Sequence, residues 1–245
     1  MTWLIFILGA IFAGFVQGLT GFAFALIAMS FWFWILPSQI AAHLVVCASV
    51  YSHFISLSSE RKTTPINKKI IYPYLIAGIL GVPLGTYLLD SINPDTFKLV
   101  LGAFLMFWCP ILFFNPKFSF IQKSGKWADS SIGYIAGILG GLGGFCGALP
   151  SAWLMLKNTP KAEQRYILRH FNLAIQLVTL ISYLLQGIIH REHLPYLAVL
   201  LVIMAFPVIF GAKLFYRISE RQFKHIVLGL LFSSGCFLVT MSVLT

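Results

Sequence analysis

The chain has 245 residues, of which 59% are apolar and 10% charged, and its mean hydropathy is +0.89. Soluble domains carry about a quarter charged residues, so this composition excludes a water-soluble globular protein. Lys and Arg outnumber Asp and Glu 17 to 7, for a net charge of +10. These bases sit in short loops between apolar runs, where they set topology and meet anionic lipid rather than nucleic acid.

In chain order, apolar segments are expected at residues 3–36, 39–57, 70–89, 97–114, 131–156, 171–189, 194–215 and 225–244. Most have the length of a membrane-spanning helix. The first and fifth are interrupted by glycines. The loops hold Arg61, Lys62, Lys68 and Lys69, then Lys117, Lys123 and Lys126. Later loops hold Lys157, Lys161, Arg165 and Arg169, then Lys213, Arg217, Arg221 and Lys224. The N-terminal run lacks the basic n-region of a signal peptide and is expected to be retained. Cys47, Cys109, Cys146 and Cys236 lie inside apolar runs with no C-x-x-C spacing. They read as small buried hydrophobes.

The sequence repeats itself. "AGFVQGLTGFAFAL" from Ala13 and "AGILGGLGGFCGAL" from Ala136 share eight of fourteen positions. A weaker echo pairs Gly85, Leu88, Ile92, Phe97 and Lys98 with Gly211, Leu214, Ile218, Phe223 and Lys224. The expected architecture is therefore all-α and polytopic, with two pseudo-symmetric units over residues 1–118 and 119–245. Each holds one glycine-broken segment and three transmembrane helices, and internal duplication of this kind is common in transporters.

Charge decides the threading. If the glycine-broken segments are single spans, basic loops fall on both faces and the positive-inside rule fails. If each is a re-entrant hairpin, fifteen of the seventeen Lys and Arg share one face, leaving Lys98 and Arg191 on the other. The hairpin reading also inverts the two units. Its arms are expected to be about twelve residues each, too short to span, although the first N-terminal arm is longer and nearly crosses.

A broken helix is tolerated in hydrocarbon only where protein or a water-filled cavity covers the break. The short helix after each break points its positive N-terminal end inward. Two such ends near the midplane make an anion site. Candidate substrate contacts at the breaks are Gln17, Gly18, Thr20, Gly21, Gly141, Gly143 and Gly144. The alternative is that these glycines serve helix packing alone.

The paired GxxxGLxGFxxAL segments (Gly14 to Leu26, Gly137 to Leu149), the two-unit layout and the short basic loops resemble the TauE/SafE family, the sulfite-exporter-like permeases. The resemblance covers essentially the whole chain. It implies transport of small organosulfur or inorganic sulfur anions, or of organic acids, without fixing which.

Polar residues within the spans are few. Every Asp and Glu lies at or outside a helix end, whereas a cation pathway normally carries buried acids. That favours an anionic or neutral substrate and leaves histidine to carry protons. His43 is a candidate for substrate contact and coupling, and His170 for coupling. His53 reads as lying near a membrane face. Asn172 and Gln176, one helical turn apart, are candidate substrate contacts. Arg169 could reach an anion but reads as an interface marker. Trp3, Trp32, Trp34, Trp127 and Trp153 fit interface belts. "HREH" at 190–193 lacks metal-site spacing and reads as a solvated turn, so no metal is expected.

The reading is a secondary transporter of a small anion working by alternating access between the broken helices, in the cell (inner) membrane. A passive anion channel and an intramembrane enzyme are the alternatives. The latter lacks a base paired with Ser151 or the cysteines. No nucleotide-binding loop or other cofactor motif is present. Expected partners are the small anion and membrane lipids, with no nucleic acid, and a homo-oligomer is compatible with the chain.

Overall fold

The structure is a computed structural model that describes residues 2–58, 68–89, 91, 93–114, 124–187 and 194–244. The "HREH" turn and the loop residues Arg61, Lys62, Lys117, Lys123 and Arg191 lie outside the described residues. Among the described residues there are ten α-helices, two short 3-10 turns and no strand. The helices are α1 (Thr2–Thr20), α2 (Phe24–Trp32), α3 (Ser38–Ser58), α4 (Tyr72–Leu88) and α5 (Pro94–Phe113). They continue as α6 (Lys126–Gly143), α7 (Ala148–Leu156), α8 (Lys161–Leu185), α9 (Leu194–Leu214) and α10 (Glu220–Leu244). Among the described residues six helical stretches are long and apolar enough to cross a membrane, so the chain is a multi-pass membrane protein.

The two glycine-broken segments fold as hairpins, α1–α2 and α6–α7. In the first, the Trp32 indole N–H donates to Phe6 O at 3.1 Å and its ring stacks on Phe6. The end of α2 therefore returns to the start of α1. In the second, Asp129 near the start of α6 accepts from Trp153 Nε1 at 2.8 Å and pairs with Lys157 at 2.9 Å. Tyr74 of α4 donates to the same carboxylate at 2.6 Å.

The arms are unequal: the first long arm agrees with the expectation that it nearly crosses, whereas the other three depart from about twelve residues. The long arms have 19 and 18 residues and the return arms 9 each. At 1.5 Å per residue the long arms reach roughly 28 Å and the return arms roughly 13 Å. The turns therefore sit far across the bundle from the hairpin bases. Trp32 departs from the interface-belt expectation in the same way. It is fully buried, because the short arm folds back against the long one. Trp3, Trp34 and Trp127 are exposed.

Helix α8 starts ten residues before the expected 171, and α6 and α10 start about five before 131 and 225. Lys, Arg, Glu and Gln are good helix formers, so a charged run continues a helix as readily as it makes a loop. Pro160 is the N-cap of α8 with ψ 144° and Asn158 before it has φ +51°, so the helix begins at Lys161; a proline disfavours helical backbone in the residue before it.

Bare backbone sets the packing. On α6, a side chain at Gly133 or Gly137 would collide with the backbone of Tyr74 or Gly78 on α4. On α4, one at Gly81 or Gly85 would collide with Tyr134 or Ile138 on α6. Likewise Gly18 of α1 lies on Val208 O of α9, and Gly211 of α9 lies on Phe15 O of α1. Each long arm is thus pressed against a helix from the other half of the chain, as small-residue interfaces permit. Helices α3 and α8 pack together between these pairs, and α5 packs on α10.

The helix ends sort into two groups. Lys157, Asp129 and Tyr74 meet at one end, where Lys161 also bonds Glu220 and Ile218 and Arg165 lies over Phe215. At the opposite end Trp3 stacks on Tyr196, Lys98 pairs with Asp95, and Trp34 meets Phe237. In a cysteine-free background, single cysteines at Lys126 and Lys157 should label from one side of the membrane and Asn93 from the other. Labelling of Lys126 and Lys157 from opposite sides would show that residues 126–157 cross the membrane and that the hairpin is wrong.

Candidate functional site

Each break is a helix C-terminus stopped by a left-handed glycine. Gly21 has φ +84° and Gly144 has φ +80°, a conformation disfavoured for every residue with a Cβ. Their N–H groups close the preceding turn, Gly21 to Gln17 O and Gly144 to Gly140 O, both at 2.8 Å. The Gly144 bond is that of an αL cap, and Phe145 N–H adds a bond to Leu139 O at 3.2 Å.

The first break satisfies its neighbours with its own side chains. Gln17 Oε1 accepts the N–H of Phe24, the first residue of α2, at 3.1 Å. This orients the amide so that Nε2 faces His53, 3.0 Å from Nε2 and 3.1 Å from Nδ1 of the imidazole. Thr20 Oγ1 donates to Val16 O at 2.8 Å and accepts weakly from Ala23 N–H at 3.4 Å. From α8, Arg165 donates to Gly18 O at 2.6 Å and Arg169 to Ser56 O at 3.2 Å. Both arginines are buried and pack beside Gly21. A guanidinium at a helix C-terminus meets its carbonyls and the negative end of its dipole.

The second break is bonded by α8 directly. Gln176 Nε2 donates to Gly144 O at 3.0 Å, and Tyr183 Oη to Gly141 O at 3.0 Å. Cys146 Sγ donates to Asn172 Oδ1 at 2.8 Å, and Asn172 Nδ2 donates to Leu168 O at 2.7 Å. The breaks also meet each other. A Cβ on Gly147 would lie 2.5 Å from Cβ of Phe22, and one on Gly143 would lie 3.8 Å from Met29 Cε.

One line of side chains serves both breaks. Arg165, Arg169, Asn172, Gln176, Thr179 and Tyr183 recur at helical spacing on α8, and all are buried. Ser49, Ser52, His53 and Ser56 form a shorter buried polar stretch on the neighbouring α3. The hydroxyls of Ser49 and Thr179 make no hydrogen bond among the described residues.

The candidates from the sequence therefore take different positions. Gln17, Thr20, Gly21, Gly144, Asn172 and Gln176 lie at the two breaks, and Gly143 lies between Phe145 and Met29. Gly18 and Gly141 face α9 and α4 at backbone contact. His43 meets the Tyr183 ring edge-on at 5.2 Å between centroids, one residue removed from the second hairpin. His170 is half-buried against Tyr166, 4.1 Å between centroids.

Sequence reasoning missed His53, Arg165, Cys146 and Tyr183 as neighbours of the breaks, and read Arg169 as an interface marker. His53 is buried because the long arm α1 carries its turn to the level of the end of α3. The signal was present as periodicity: residues 165, 169, 172, 176 and 179 are spaced to share one helix face. Extending α8 back to Lys161 brings the two arginines onto it.

Gly21→Val and Gly144→Val should each lower transport at least about tenfold while the protein still inserts. Each puts a β-branched residue where φ is positive, and at Gly144 the Cβ would lie 2.9 Å from Gln176 Nε2. Gly187 has φ +67° and a Cβ there would meet no atom of the described residues within 4 Å, so Gly187→Val is the control for backbone strain. Equal transport by all three in a proteoliposome flux assay would remove the breaks from function.

A family model described as sulfite exporter TauE/SafE matches residues 6–238. No curated protein and no solved structure matches the chain. A match over nearly the whole length, on a chain with six helical stretches able to span a membrane, shows that the protein belongs to the TauE/SafE family of membrane transporters.

Proposed function

We propose that the protein is a secondary transporter of a small anion, a sulfite-like or organosulfur compound or an organic acid, in the cell (inner) membrane. The anion binds between the two breaks. The observation that carries this is the buried line on α8, which reaches the first break with Arg165 and Arg169 and the second with Asn172 and Gln176. Buried charge in a membrane protein is expensive and marks a substrate or ion path. Here the charge is positive, which suits an anion. Gln17, Thr20, Asn172 and Gln176 supply polar contacts, and the N-terminal ends of α2 and α7 add positive dipole ends. Gly21, Gly143 and Gly144 let the chain come close, while Gly18 and Gly141 hold the long arms against their partner helices.

Alternating access is the mechanism that fits two hairpins reaching in from opposite ends. Residues 1–118 and 119–245 then act as inverted units. The exchange of partners supports this: α1 packs on α9 as α6 packs on α4, and α3 on α9 as α8 on α4. Coupling, where protons drive it, runs through His43 or His170. His43 is the better placed, because Tyr183 links its ring to the Gly141 carbonyl.

Flux of sulfite and of a small sulfonate into proteoliposomes tests the site. Arg169→Gln should cut flux at least about tenfold, and Arg169→Lys should restore part of it. Wild-type flux in Arg169→Gln overturns the anion site. His43→Gln should lose accumulation driven by a pH gradient but keep exchange at equal pH. Surviving accumulation in both His43→Gln and His170→Gln removes histidine from coupling.

A further inference from the structure

At the basic end of the bundle a cleft of about 810 Å³ opens between the end of α7, the start of α8 and the start of α10. Its polar wall includes Asn158, Gln164, Arg221, Lys224 and His225. Glu220 also lines it, but one of its carboxylate oxygens accepts the Lys161 N–H at 2.8 Å. Two cations and an imidazole thus face one carboxylate already engaged by backbone.

A second cavity, about 340 Å³, is lined by Cys109, Pro110, Leu228, Gly229 and Phe232. Phe113 and His225, whose rings meet at 5.4 Å between centroids, line both, so the cleft and the groove adjoin at this pair. Along α10 the residues Arg221, His225, Leu228 and Phe232 share one face. That face changes from cationic to apolar at His225. Gly229 leaves the groove open, since a Cβ there would meet no atom of the described residues within 4 Å. Phe113 and Phe232 are exposed, as lipid-facing residues are.

We propose that this is a binding site for one anionic phospholipid. The phosphate headgroup lies in the cleft against Arg221, Lys224 and His225, and one acyl chain lies in the groove over Gly229 between α5 and α10. Charge complementarity selects an anionic headgroup, and the adjoining apolar groove selects a lipid over a free anion. Basic pockets between transmembrane helices bind lipid headgroups in this way. The site is separate from the breaks and does not depend on which anion is transported.

The test uses the purified full chain in a neutral detergent, with lipid retention read by native mass spectrometry. Phosphatidylglycerol and phosphatidylcholine of identical acyl chains are compared. Phosphatidylglycerol should be retained more tightly. Arg221→Gln with Lys224→Gln should weaken it roughly thirtyfold, two cations at the membrane surface being removed, and leave phosphatidylcholine unchanged. Gly229→Phe should lower phosphatidylglycerol retention by filling the groove, with both cations intact. Glycerol 3-phosphate alone should not compete. Equal retention of the two lipids, or wild-type phosphatidylglycerol retention in the double variant, overturns the site. Full competition by glycerol 3-phosphate overturns it in favour of a free-anion site. A change of oligomeric state in the variants, in place of lipid loss, overturns it in favour of a contact between copies of the chain.

Discussion

A helix that ends inside hydrocarbon leaves four carbonyls and, where the next helix begins, four N–H groups without partners. Each costs several kcal/mol if nothing bonds it. Much of this chain is arranged around satisfying that demand twice. At the first break Gln17 and Thr20 cap the start of α2, while Arg165 takes the carbonyl of Gly18. At the second, Gln176 and Tyr183 take the carbonyls of Gly144 and Gly141. Helix α8 supplies a partner to each, so it is the element on which both hairpins depend.

The two solutions differ in charge. A guanidinium bonds the first break and neutral amide and phenol groups bond the second. The interior is therefore electrostatically uneven along α8, more positive toward its start at Lys161. An anion moving between the breaks would feel that slope. The backbone contacts of α1 with α9 and α4 with α6 bring whole helices close at the glycines, which ties each long arm to its neighbour rather than to its own return arm alone.

Much of the fold was readable in the residues. Apolar runs marked the spans, and the repeat at Ala13 and Ala136 marked both breaks. The longer first arm was readable from the length of its apolar run, but the inequality of the second hairpin was not, because apolar composition does not say where in a run of glycines the chain turns. Gly141, Gly143 and Gly144 look alike in sequence. Only geometry selects Gly144 for positive φ and Gly141 for contact with α4. Arg165 and Arg169 were hidden by their charge, since a basic run reads as a solvated loop until helix spacing is followed through it. Asp129 was hidden for the opposite reason. Its place near a helix end suggested solvent, yet it is buried under Tyr74, Trp153 and Lys157.

The pairing of α1 with α9 has a consequence for biogenesis. Gly18 and Gly211 face each other's helices in the finished protein, but the ribosome makes them far apart in time. At roughly 5–20 residues per second, α9 emerges on the order of ten to forty seconds after α1. Arg165, the partner of the Gly18 carbonyl, comes only slightly sooner. Through that interval the first hairpin has its own Gln17 and Thr20 caps but neither the Arg165 partner of Gly18 O nor its seam with α9. The packing of α1 is therefore completed late, by helices from the far half of the chain. The α4–α6 seam needs only nearby sequence and can close first.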